Sequence, residues 1–293
     1  MVEVAIDFNR DKKPDPLERY RQIFRALGVD EEINPELLKR FALLDTTETV
    51  ADELQAVAYA RRYNEYARRS DSLYQLSPAE LKTVETATMV TDIGKTGHRD
   101  FDDKQQELIA AIYSIRENFK PHLMTIKEFF EKFYADTSVE KIALFKTLNL
   151  DPDTLTMREF FNLHAAWTYS LLEDSGLNDE VVVTASSHHL LEGVIPRNCI
   201  DLDTAHFNTP TVKKAIGKEL VLVILLDKYD AAITRGKKDH GVAIAYLKDV
   251  VATNPIFEKL PRHVRTLFEA MILNLNEALG EERSPQESAH VIH

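Results

Sequence analysis

The amino-acid sequence predicts an all-α protein. Apolar residues recur at helical spacing along most of the chain, helix starts carry capping residues, and glycines stand where the helical pattern stops, at positions 28, 176 and 193. With 293 residues, 44% of them apolar, the chain can build one large or two modest domains around a real core. Against 36 Lys and Arg stand 48 Asp and Glu, a net charge of −12. That balance argues against broad contact with a nucleic-acid backbone or an anionic membrane surface. A small anionic substrate would need local help from a metal or a basic pocket. The single cysteine, Cys199, allows no intrachain disulfide and no cysteine-based zinc cluster, so a metal must be held by histidine and carboxylate.

Residues 1 to about 16 are charged and interrupted by proline, and read as an extension or short strand. Charge in MVEVAIDFNRDKK stands where a signal peptide needs an apolar stretch, so the expected location is cytoplasmic. A helix follows from about Pro16 to Leu27, stopped by Gly28. Residues 35 to 70 form a second helical block, with Leu37, Leu38, Phe41, Leu43 and Leu44 apolar, then Leu54, Val57, Ala58 and Tyr66 marking one face. In Ser77-Pro78-Ala79-Glu80, serine is the N-cap, proline takes the first helical position and glutamate closes a capping box. That helix runs towards Asp92 and a glycine-containing turn, TDIGKTGHRD.

Two or three amphipathic helices fill about 101–150, one with Leu108, Ile109, Ile112 and Tyr113, another with Phe129, Phe130 and Phe133. Leu155-Thr156 opens the next helix, which Gly176 ends. Asn178 caps another that the pattern carries through Ser186-Ser187-His188-His189 to Gly193. Pro196 to Pro210 reads as loop. The last helices span roughly 211–235, 240–252 and 261–279, and residues 281–293 are expected to fray. The longest apolar run, Leu220–Leu226, is too short to span a bilayer and reads as a buried helix segment. No internal repeat stands out.

Four pieces carry candidate chemistry: Asp92 in TDIGK, His164, the pair His188 and His189, and Asp227 in DKYDA. Taken singly, each has a plainer reading. Asp92 can cap its turn, and His164, among Leu163, Ala165, Ala166 and Trp167, can be a hydrogen-bonded core histidine. Asp227 is harder to dismiss, because a carboxylate directly after a seven-residue apolar run needs a cation as partner. Adjacent residues on a helix point about 100° apart, so His188 and His189 are not expected to chelate one ion together. Asp230 reads as an exposed carboxylate or one that orients a ligand histidine, His98 as a surface residue or replacement ligand, and Glu53 as a speculative upstream carboxylate ligand. Arg61-Arg62 and Arg68-Arg69 read as a solvated basic face.

The order of these motifs resembles the HD superfamily of metal-dependent phosphohydrolases, and within it the HD-GYP branch that hydrolyses cyclic dinucleotides such as cyclic di-GMP. Thr91 to Gly97, followed by Asp100, is similar to that family's HDIGKIG stretch and the aspartate after it. The Leu155-Thr156 helix with His164, the His188-His189 pair, and Asp227-Lys228-Tyr229-Asp230-Ala231 with Arg235 follow in the family's order. The chain departs from it at Thr91, where the motif histidine should stand, in having no histidine before His98, and at Val194-Ile195-Pro196 in place of Gly-Tyr-Pro. The resemblance implies an HD-like multi-helix bundle at 76–280 with a helical insertion at about 101–150; the N-terminal helical region, 1–75, has few glycines and no flexible linker and is expected to pack on it. It also implies one or two divalent ions, iron or manganese, on Asp92, His164, His188, His189 and Asp227. Asp92 and Lys95 would be catalytic, with Lys95 and Arg235 on the substrate phosphate. The implied substrate is a small phosphate-containing nucleotide. The alternative is a catalytically degenerate domain that binds a nucleotide or a protein signalling partner.

Overall fold

The computed structural model describes residues 16–29, 34–115, 119–194, 200–201, 206–207 and 216–280. The N-terminal extension and the frayed tail read from the sequence lie outside them, apart from Pro16. Thirteen α-helices make up the described residues, with one two-residue antiparallel pair, Ile200–Asp201 against His206–Phe207, inside the stretch read as loop. The all-α fold class holds.

Helix α1 spans Pro16–Ala26, and Gly28 follows it with φ +70°. The block at 35–70 is two helices, α2 (Pro35–Leu44) and α3 (Thr49–Arg69). They part because the Thr46 and Thr47 hydroxyls donate to the carbonyls of Leu43 and Leu44, and Glu48 turns the chain at φ +61°. Val57 faces the core as expected, but Leu54, Ala58 and Tyr66 are only half-buried. The buried face is Val50, Glu53, Ala56, Val57, Ala60, Tyr63 and Ala67, where small alanines let α3 lie close to its neighbours.

Helix α4 (Pro78–Val90) starts on the expected capping box, with the Ser77 hydroxyl accepting from Glu80 N–H and the Glu80 carboxylate accepting from Ser77 N–H. From Thr83 to Val90 every residue is buried, so α4 is a central strut. The other is α10 (Lys218–Asp230), whose run Leu220–Leu226 is buried throughout. Around them pack α3, α9 (Asp179–Ser186) and α13 (Arg262–Gly280). One apolar core runs from Tyr20 to Leu279 and draws on the N-terminal helices as well as the last ones. Each aliphatic side chain fully buried there contributes roughly 1.5–3 kcal/mol.

A second, aromatic core belongs to α5 (Asp103–Tyr113), α6 (Ile126–Phe133), α7 (Ser138–Lys146) and α8 (Met157–Leu172), with Phe129, Phe130, Phe145, Phe160 and Trp167 at its centre. Here a short repeat emerges that the linear pattern hid. Thr125-Ile-Lys-Glu-Phe-Phe130 and Thr156-Met-Arg-Glu-Phe-Phe161 open α6 and α8 with the same capping box, and Thr125 and Thr156 meet in an antiparallel bridge. Two helix–loop–helix units are thereby tied at their loops, and α8 leaves the tie towards the first core.

At its far end α10 passes into a π-turn, Ala231–Arg235, before α11 (His240–Thr253) and the short α12 (Pro255–Lys259). Asp230, 6% exposed, is neither a surface group nor a partner of a histidine; its Oδ1 accepts from the Thr234 hydroxyl at 3.1 Å. Burial, then the charge of Asp52, pushes its carboxyl up to about 6 from 3.8. The folded state therefore holds a proton that the unfolded chain releases between these values, and stability falls as pH rises through that window. Asp230→Asn keeps the hydrogen bond and removes the charge. It should stabilise the protein at pH 7.5 by on the order of 2 kcal/mol and lose that gain by pH 4. Thermal melts at the two pH values check this, and a gain independent of pH would contradict it.

Candidate metal centre

The site is built on the turn after α4. Residues Ile93–Thr96 form a single 3₁₀ turn whose backbone presses against α8. A Cβ at Gly94 would lie 2.0 Å from the His164 carbonyl oxygen and 2.5 Å from the Thr168 nitrogen, so only glycine fits. Thr168 locks the contact, its hydroxyl accepting from Gly94 N–H at 3.1 Å and donating to Thr91 O at 2.8 Å. From the other side the fully buried Arg40 of α2 donates to the carbonyls of Thr96 (2.8 Å) and His98 (3.2 Å), with Glu36 at 3.2 Å offsetting its charge. Asp92 is thus delivered to α8, with its Oδ1 3.4 Å from Nε2 of His164.

Helix α9 ends at Ser186 rather than running to Gly193, and this changes the histidine pair. Ser186 bonds back to the Val182 carbonyl at 2.7 Å, and Ser187 leaves helical geometry. His188 and His189 therefore sit in a turn ahead of a 3₁₀ segment, Leu190–Glu192, which Gly193 closes at φ +70°. The 100° separation of a helix does not apply, and both rings turn to the same point. Nε2 of His164 lies 3.1 Å from Nε2 of His188 and 3.1 Å from Nε2 of His189.

The opposite ring nitrogens fix the protons. Nδ1–H of His164 donates to Phe161 O at 2.5 Å, and Nδ1–H of His188 to Ala185 O at 2.6 Å, because a carbonyl can only accept. Nδ1 of His189 faces Glu192 Oε2 at 3.4 Å. Burial, then the charges of its two histidine neighbours, holds His188 down at about 3, and burial lowers His164 as well. His164 and His188 are therefore neutral at physiological pH with their Nε2 lone pairs converging, and His189 Nε2 meets them at the same point, an arrangement that a shared cation relieves. Donor atoms on one tetrahedral ion at metal–nitrogen distances of 2.0–2.1 Å stand about 3.3 Å apart. The separations of 3.1, 3.1 and 3.4 Å from His164 Nε2 match that spacing, Asp92 Oδ1 is 3.9 Å from His188 Nε2, and the three histidine donors lie within 4.8 Å of one another.

Charged groups surround the donors. Burial raises the Asp92 carboxyl, but the Lys95 ammonium, 2.5 Å from its Oδ2, is the largest of the influences that outweigh burial and hold it well below the usual range. Glu53 of α3 accepts from Asp92 N–H at 3.3 Å. Burial, then Asp92, pushes Glu53 well up, and it is held as the neutral acid. On the α10 side, Asp227 lies 3.7 Å from Lys228, which also pairs with Glu192. Lys228, the largest of the influences opposing burial, holds the Asp227 carboxyl below its usual value. Tyr113 of α5 meets the His164 ring edge-on at 6.0 Å.

The structure therefore brings together Asp92, Lys95, His164, His188 and His189, with Asp227 bordering them through its charge. Arg235 stands apart, exposed at the end of the π-turn with its charge acting on Asp230. His98 pairs with Asp100 at 3.3 Å in the turn. Arg61 binds Glu85 at 2.7 Å on the solvent side of α3. Thr91 offers no ligand, since its hydroxyl donates to Thr88 O. Glu192 and Lys228 were not singled out from the sequence; the signal was there, a glutamate three residues after His189 and a lysine next to the Asp227 that ends an apolar run. Comparison of the chain with protein-family models, with curated proteins and with solved structures finds no match.

Gly94→Ala should lower stability by on the order of 2–4 kcal/mol, because the two nearest of the three atoms in its path are backbone. Gly241→Ala, on the exposed face of α11, should be neutral or slightly stabilising. Urea titrations of both variants check this, and a Gly94→Ala variant as stable as wild type would show that the turn and α8 do not need their close approach.

Proposed function

We propose that the chain is a divergent metal-dependent phosphohydrolase, with a phosphodiester of the cyclic dinucleotide class as its leading substrate. The observation that carries this reading is the convergence of three imidazole Nε2 atoms with Asp92 Oδ1. Three imidazoles with a carboxylate suit iron, manganese or zinc, and iron or manganese is the reading adopted. A divalent ion bound there would lower the pKa of its water and neutralise phosphate charge. The chain's own residues do the rest. The carbonyls of Phe161 and Ala185 hold two rings in the metal-binding tautomer, and Glu192 orients the third. Lys95, 15% exposed on Asp92, is placed to hold a phosphate oxygen.

Charge supports an anionic ligand. Asp92, Asp227 and Glu192 against Lys95 and Lys228 leave one negative charge, which one divalent ion turns into one positive charge. That suits a phosphodiester, which carries a single negative charge. A second reading is a domain that binds a nucleotide without turnover, favoured by Thr91, whose engaged side chain leaves Asp92 without its doublet partner.

Protein loaded with manganese should hydrolyse bis(p-nitrophenyl) phosphate and cyclic di-GMP, and His188→Ala should lose at least about a hundredfold in rate together with its bound metal. Nucleotide-induced stabilisation with no product would favour the binding reading. Hydrolysis by His188→Ala at the wild-type rate would remove the site from the chemistry.

A further inference from the structure

Lys228 follows Asp227, just beyond the apolar run Leu220–Leu226 of α10, and its side chain is only 5% exposed. An ammonium at that depth is costly unless carboxylates surround it, whereas a methionine of similar volume would pack there without any partner. Two carboxylates are present, and both belong to the histidine centre. Glu192 pairs with the ammonium through Oε1 while its Oε2 faces His189 Nδ1 at 3.4 Å, and Asp227 Oδ2 lies 3.7 Å away. The lysine stands behind the centre and draws on the groups that make its α10 side electronegative.

We propose that Lys228 is an internal counter-ion that limits how tightly the three-histidine centre holds a divalent cation. The inference rests on the metal-centre reading above and goes beyond it, since it assigns a positioning residue that touches no ligand nitrogen. Two effects act in the same direction. The fixed positive charge opposes the arrival of another at low local dielectric. By sharing Glu192 it also loosens the carboxylate's hold on the His189 ring, which that carboxylate orients from 3.4 Å. The same charge leaves the cation-loaded site more positive, and so better suited to an anion. Cation affinity is given up for anion affinity.

The test is a titration of the full chain with Mn²⁺ alone, by competition with a chromogenic chelator at fixed pH and ionic strength. Lys228→Met should bind Mn²⁺ about tenfold more tightly than wild type, because one positive charge has left the neighbourhood. Lys228→Arg, which keeps the charge, should stay within about threefold of wild type. In the double variant Lys228→Met with Glu192→Gln the charge of the site is restored, and affinity should return towards wild type. That variant also leaves no unpaired Glu192 charge, so it serves if Lys228→Met alone fails to fold. Equal or weaker binding by a folded Lys228→Met, or a double variant tighter than Lys228→Met, overturns the inference while leaving the metal centre in place. No Mn²⁺ binding by wild type overturns both.

Discussion

Backbone touches backbone where the Ile93–Thr96 turn meets α8, and this contact sets the register of the whole site. Because Gly94 has no side chain, the turn can sit against the carbonyl of His164, and the Thr168 hydroxyl bridges the two strands of backbone. Asp92 and His164 come into reach as a direct consequence. The same α8 begins at the bridge between Thr125 and Thr156, so the aromatic core of α5 to α8 fixes the helix that carries His164. A loosened turn would therefore cost more than local stability, since it would move a donor atom relative to three others.

Burial then decides the protonation of the donors. In water an imidazole titrates near neutral pH, but here desolvation outweighs the nearby carboxylates and keeps His164 and His188 neutral. Carboxylates in the same surroundings cannot stay charged alone. Asp92 has Lys95, Asp227 and Glu192 have Lys228, and Glu53, buried beside Asp92, has its carboxyl pushed well above the usual range. The site is thus a set of neutral lone pairs held between two carboxylate–ammonium arms, which explains why a protein of net charge −12 keeps lysines so close to its candidate metal ligands.

Much of this was legible in the sequence, for physical reasons. Capping at Ser77 and Asn178 and the stop at Gly28 act within one turn of chain, so local residues declare them. Asp92, His164, His188 and His189 were picked out by residue type and order, and they come together in space. What failed depended on competition between bonds or on tertiary contact. The back-bond of Ser186 ends α9 before the histidines, and no periodicity reveals it. The buried face of α3 is chosen by close packing of alanines and includes Glu53, which hydrophobicity alone would place outside. Lys228 carried no reading of its own in the sequence, because its two carboxylate partners, one of them on a different segment, are brought to it by the fold.

Anomalous diffraction at the manganese edge, from crystals of the full chain grown with Mn²⁺, tests the account most directly. The account predicts one strong peak bonded to Nε2 of His164, His188 and His189, with Asp92 Oδ1 as a further neighbour. A peak elsewhere in the fold, or three histidines turned away from one another with no ion between them, would contradict it.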